Sequence, residues 1–104
     1  MPYYFIFWNF TEQGIKSLGD CLHSIDIFKG YVEARNGAEA YHGTFYSLGQ
    51  GQYDAVSLVS EQDDFGVRYD LYQAEQKGFV RSTTLRCVTH EEASKFAEQF
   101  STET

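Results

Sequence analysis

Gly49-Gln50-Gly51-Gln52-Tyr53-Asp54-Ala55-Val56-Ser57-Leu58-Val59 is a glycine-rich turn that runs directly into a β-type stretch. Glycine tolerates the positive φ that a tight hairpin demands, and the apolar residues after Tyr53 suit a pleated surface. The stretch therefore reads as the tip and second arm of a β-hairpin, with 38–48 as the first arm and 52–60 as the second. By strict alternation Ala38, Ala40, His42, Thr44 and Tyr46 share one face of the first arm, and Glu39, Tyr41, Gly43 and Phe45 the other. In the second arm Val56 and Leu58 point one way, and Tyr53, Ala55 and Val59 the other.

Upstream, 3–10 (YYFIFWNF) is aromatic or β-branched and too short for a helix, so it is expected to be a strand. Both of its faces are apolar, which requires cover on both sides. From Thr11, a suitable N-cap, the period becomes helical: Ile15, Leu18, Leu22, Ile25, Phe28 and Val32 form one stripe ending at Asn36-Gly37. Gly19-Asp20 is the expected break in that helix. Downstream, Ser60-Glu61-Gln62-Asp63 reads as an N-cap and acidic first turn of a helix to about Gln76. Its stripe of Phe65, Tyr69 and Tyr72 lies beside Val67, Leu71 and Ala74, with Arg68 exposed and paired with Asp64. Residues 79–88 form the last strand. Thr89-His90-Glu91-Glu92 is a capping box before a helix with Ala93, Phe96, Ala97 and Phe100 in phase, and the tail 101–104 is expected to fray.

The order β-α-β-β-α-β-α is the split βαβ, ferredoxin-like arrangement: an α+β domain over 1–104 with helices on one face of a four-stranded antiparallel sheet. The apolar second face of the first strand then needs a partner, and a second copy of the chain supplies one, so a homodimer is expected.

The 104 residues carry eight Tyr, nine Phe and one Trp, more rings than a small core needs, which suggests that some line a pocket or an interface. The net charge of -7 has no compensating Lys/Arg cluster, which argues against nucleic acid and anionic membrane as partners. The opening residues lack a basic n-region and no stretch reaches membrane-spanning length, so a cytoplasmic protein is expected. Cys21 and Cys87 are expected to be reduced.

Four patches, Asn9-Phe10-Thr11-Glu12-Gln13-Gly14-Ile15, Tyr46-Ser47-Leu48-Gly49, Gln52-Tyr53-Asp54-Ala55-Val56 and Arg81-Ser82-Thr83-Thr84-Leu85-Arg86, together resemble the GYD-domain family of the dimeric α+β barrel superfamily. The likeness runs from about Tyr4 to Phe96. Members have a compact Gly-x-Tyr-Asp turn, whereas Gly49–Asp54 is two residues longer. The resemblance implies the fold and a dimer. The wider superfamily includes cofactor-free monooxygenases, polyketide cyclases, isomerases and ligand-binding modules.

His42 is the first chemical candidate: an imidazole beside small neighbours can move a proton, although a structural histidine bonded to a tyrosine is the plainer reading. Arg86, on one strand face with Val80, Ser82, Thr84 and Val88, can clamp a carboxylate or oxyanion; an ion pair is its plainer reading, and Arg81 faces the opposite way. Tyr46 joins these two as a phenol donor, with Tyr4, Trp8, Tyr41, Tyr69 and Tyr72 as ligand-binding candidates or simply packing. Asp54 reads as a cap on the hairpin backbone, and His23 and His90 as solvated. No metal-ligand spacing or nucleotide fingerprint occurs, so no cofactor is indicated. The expected function is cofactor-independent cyclisation, isomerisation or oxygenation of a small, largely apolar aromatic or polyketide-like molecule in a sheet–helix pocket; the alternative is a non-catalytic small-molecule-binding dimer.

Overall fold

In the computed structural model, which describes residues 1–103, the aromatic run Tyr3–Phe10 is the inner strand β1 of a four-stranded antiparallel sheet. It pairs with β3 (Ala55–Ser60) on one side and β4 (Val80–Cys87) on the other, and β2 (Tyr41–Tyr46) pairs with β3 to complete the order β2-β3-β1-β4. Helices α1 (Glu12–Ile15) and α2 (Leu18–Asn36) follow β1, α3 (Asp64–Glu75) joins β3 to β4, and α4 (His90–Glu103) ends the chain. This is the ferredoxin-like α+β arrangement with one added helix. No helix among the described residues is long and apolar enough to cross a membrane.

Alternation in β1 separates the two layers. Tyr4, Ile6 and Trp8 are fully buried against Cys21, Ile25, Phe28 and Val32 of α2 and Val67, Leu71 and Ala74 of α3. The Trp8 ring meets Phe28 edge-on at 5.4 Å, and its indole N–H donates to the Ser57 hydroxyl at 2.9 Å. On the other face Phe5, Phe7, Val56 and Leu58 are only half-buried, while Phe45 and Leu85 stand 73 % and 53 % exposed. The chain's own helices leave that face uncovered.

The helical segment breaks at Lys16-Ser17, earlier than Gly19-Asp20. Thr11 caps α1 by accepting from the Gly14 amide, and the Thr11 amide and hydroxyl also tie α1 to the carbonyls of Phe79 and Gly78. That anchored first turn ends at Ser17, whose carbonyl starts α2 in a new direction by accepting from Asp20 and Cys21. The restart shifts the phase: Cys21, Ser24, Ile25, Phe28 and Val32 are buried, whereas Ile15, Leu18 and Leu22 are exposed.

The hairpin arms are shorter than expected. Ala38–Ala40 forms a 3-10 turn, and a broad loop over 47–54 is closed by the Ser47 amide to the Asp54 carbonyl and the Ser47 hydroxyl to the Tyr53 carbonyl. Leu48 and Gly49 supply its positive φ values, while Gly51 does not. Tyr53 lies against Phe7, ring centroids 4.8 Å apart, and so sits on the uncovered face instead of with Ala55 and Val59.

A bulge at Tyr41/Gly43 changes the face of His42. Tyr41 pairs with Val59 and Gly43 with Leu58, so two residues of β2 oppose one step of β3. Gly43 adopts φ +145, a conformation that L side chains rarely take. Beyond it Thr44 and Tyr46 rejoin Tyr41 on the helix side, opposite Ser57 and Ala55, while the His42 ring packs 5.5 Å from Tyr3 of the uncovered face.

Helix α3 starts at Asp64 with Asp63, not Ser60, as its cap; the Asp63 carboxylate accepts from the Gly66 amide. The Thr89–Glu92 capping box closes reciprocally as expected. Helix α4 continues through Glu103, so residues 101–103 are helical; Thr104 lies outside the described residues. From His90 through Ser101 every residue of α4 is exposed, Phe96 and Phe100 included.

Candidate functional site

The three residues expected to cooperate do not meet. His42 is on edge strand β2, Arg86 on the opposite edge strand β4, three strand spacings or roughly 14 Å away across the sheet. They also face opposite sides: Arg86 pairs with Tyr4 on the helix side, as its alternation with Ser82 and Thr84 implied. His42 is exposed and its Nε2 bonds the Ser60 hydroxyl at 2.7 Å, in place of the expected tyrosine partner. Tyr46 is on the helix side, where burial first and Asp26 second push its phenol pKa up.

Two of the expected residues do come together. Tyr4 and Arg86 line a cleft of about 190 Å³ with Asp64, Val67, Arg68 and Thr84, where the first turns of α3 pass over β4. The Tyr4 hydroxyl, carried by the most buried face of β1, donates to Asp64 Oδ1 at 2.5 Å. Burial, then the Asp64 carboxylate, push the phenol pKa up to about 12, so Tyr4 stays a donor at neutral pH. Arg86 Nη1 stands 3.9 Å from the same Asp64 oxygen, at the limit of an ion pair. Asp64 therefore takes Tyr4 and Arg86, and the expected Asp64–Arg68 pair gives way to a stack of the Arg68 guanidinium 5.9 Å over the Tyr72 ring.

Thr84 Oγ1 is the unsatisfied atom of this cleft: buried, with no hydrogen-bond partner. A hydroxyl without a partner beside two guanidinium groups is a ready donor for an anionic oxygen, and the planar fork of Arg86 suits a carboxylate. The volume is below the ~300 Å³ at which drug-sized pockets begin, so the cleft fits the polar end of a ligand or a very small acid.

The remaining candidates lie elsewhere. Trp8 is core, bonded to Ser57. Tyr41 packs on Phe28 with Lys29 over its ring, and its hydroxyl bonds Thr44. Tyr69 fills the outer seam between α2 and α3, against Tyr31 and under the Arg35 guanidinium. A second, apolar hollow of about 330 Å³ opens on the uncovered face among Phe7, Phe45, Tyr53 and Val56, at the stem of the hairpin. Among the described residues no group of three or more His, Cys, Asp or Glu could hold a metal ion.

Sequence reasoning missed Asp64 and Thr84 as cleft residues. Thr84 was legible as a face-mate of Arg86. Asp64 was not, because α3 begins three residues later than a cap at Ser60 would start it, and that later start is what sets Asp64 over Tyr4. The chain matches no protein-family model, no characterised protein and no solved structure.

Proposed function

We propose that the protein is a homodimeric small-molecule-binding module of the dimeric α+β barrel type, similar to GYD-domain proteins, that holds the acidic or enolisable oxygen of a small, largely apolar molecule in the α3–β4 cleft. The observation that carries the binding reading is the unpartnered Thr84 hydroxyl, two residues along β4 from Arg86 in the same cleft. Burying a hydroxyl unpaired costs about 1–3 kcal/mol, which a bound oxygen would return. The dimer is supported by the uncovered side chains of Phe5, Phe7, Phe45 and Leu85 and by the exposed Phe96 and Phe100 of α4. A net charge of -7 leaves nucleic acid a poor partner.

Cofactor-independent catalysis is the second reading, favoured by the Tyr4–Asp64 pair. Asp64 would take a proton from the α-carbon of a β,γ-unsaturated carbonyl compound; the electron pair would move to the carbonyl oxygen, and Arg86 would stabilise that dienolate until the proton returned to the γ-carbon, leaving the α,β-unsaturated isomer. Such an isomerisation needs no oxidant or metal. His42 has no part in it.

Native mass spectrometry of the purified protein, followed by amide shift mapping with a panel of aromatic carboxylic acids and enolisable ketones, tests both readings. A dimer whose Thr84 and Arg86 amides move on titration supports binding at the cleft, and Arg86→Ala is expected to weaken it roughly tenfold or more. A ligand recovered unchanged supports the module, and a rearranged one the enzyme. Shifts confined to the face that bears His42, or a monomer, would overturn the reading.

A further inference from the structure

Glu61 and Asp70 are both fully buried, and they lie under the seam where α2, the end of β3 and α3 meet. A single guanidinium serves the pair. Arg35 bonds Asp70 Oδ1 at 2.7 Å, while its Nε is 3.7 Å from Glu61 Oε1, which instead accepts from the Asn36 side-chain Nδ2 at 2.8 Å. This leaves Glu61 Oε2 and Asp70 Oδ2 without partners. Two orphaned carboxylate oxygens in one buried site cost several kcal/mol if both groups are charged, since one Arg35 cannot neutralise two anions.

One proton resolves both orphans at once. A hydrogen on Glu61 Oε2 donated to Asp70 Oδ2 would pair both oxygens and leave one negative charge facing one guanidinium. We infer that Glu61 is held as a neutral carboxylic acid that shares its proton with Asp70, forming a proton-operated latch between α2, the end of β3 and the first turns of α3. Burial, followed by the facing Asp70, pushes the Glu61 pKa up to about 8, in keeping with that arrangement.

The groups around the latch come from three directions. Helix α2 presents Arg35 and Asn36; α3 presents Asp70, with the Asp63 cap at its start; and the Pro2 carbonyl accepts from the Glu61 amide. Gly66 makes the approach possible, because a Cβ there would come within 3.1 Å of Glu61 Oε1. The carboxyl thus lies directly beneath the turn that carries Asp64. Losing the proton would place a second negative charge under that turn. Glu61 also lines a cleft of about 330 Å³ with Arg35, Asp63 and Phe65, through which a proton can be exchanged with solvent.

The test is the carbon-13 titration of the Glu61 side-chain carboxyl in the intact protein, with urea unfolding across pH as its companion. Glu61 is expected to titrate well above the ordinary carboxylate range, and Asp70→Asn to return its midpoint toward that range. Glu61→Gln mimics the neutral acid: its amide can donate to Asp70 while its carbonyl accepts from Asn36. The wild-type urea midpoint is therefore expected to fall between about pH 5 and pH 8, and the Glu61→Gln midpoint to hold. A Glu61 midpoint in the ordinary range would overturn the inference without any variant having to fold. So would an Asp70→Asn protein whose Glu61 keeps the full wild-type midpoint, since burial alone leaves only part of the rise, or equal pH slopes in wild type and Glu61→Gln.

Discussion

The Phe10 amide donates to the Asp54 carboxylate at 2.8 Å, and the Asp54 amide returns a bond to the Trp8 carbonyl at the same length. One residue of the loop thus extends the β1–β3 ladder beyond Ala55 with a side chain standing in for backbone. Asp54→Ala is expected to cost about 1–3 kcal/mol by leaving the Phe10 amide unpaired, and Asp54→Asn less, since its amide oxygen still accepts. Urea unfolding of the two variants checks both the loss and its order.

Gly14 and Gly30 make a contrasting pair. A Cβ on Gly14 would lie 2.2 Å from the Phe79 carbonyl oxygen and 2.6 Å from Cys21 Sγ, and backbone cannot yield as a flexible side chain does. Gly14→Ala is expected to cost about 3 kcal/mol or more. Gly30, inside α2 with nothing within 4 Å, is expected to gain about 0.5–1 kcal/mol on replacement by Ala. Thermal melts of the two proteins should move in opposite directions.

Tyr4 gives stability a dependence on alkaline pH. Its folded pKa of about 12 is above the ordinary 10.0 of a free phenol, so the stabilisation is fully present below pH 10 and lost as pH climbs toward 12. Burial also raises the Tyr41 and Tyr46 phenols, so phenolate absorbance should show a late-titrating group of tyrosines in wild type, and Tyr4→Phe should remove its last member. If every phenol ionises together near its ordinary value, the Tyr4–Asp64 bond does not persist in solution.

Phe45 and Leu85 test the expected dimer. Both are exposed in the single chain, so Phe45→Glu with Leu85→Glu should change the stability of one subunit by no more than about 0.5 kcal/mol per site. Sedimentation is expected to show the mass halve while the far-ultraviolet dichroism stays unchanged. A doubly substituted protein that still sediments as wild type would show that this face is not the contact.

Element order and the two apolar layers of β1 were legible because alternation and the helical period report directly on burial. His42 was not, because a bulge consumes one extra residue without any change in composition; only Gly43, one residue on, hinted at it. Glu61 shows how charge can mask phase. Ala55, Ser57, Val59 and Glu61 alternate onto the buried face, yet the acidic run 60–63 invited reading it as a solvated first turn. Asp70 likewise belongs to the Val67, Leu71 and Ala74 stripe. Side-chain pairing across elements, such as Tyr4 with Asp64, is set by where α3 starts, and helix starts are among the least determined features of a sequence.

A chain of this length folded into a single ball would have a radius of gyration of about 13 Å, whereas this one measures 15.6 Å. The excess reflects α4, which stands in solvent on every side from His90 to Ser101. A helix of fourteen residues with no core beneath its residues from His90 to Ser101 is marginal in water on its own. Amide exchange and proteolytic nicking along α4 are therefore expected to be fast in the isolated chain, and any slowing of the cutting rate after Val88 becomes a clock for how long a partner surface covers the helix.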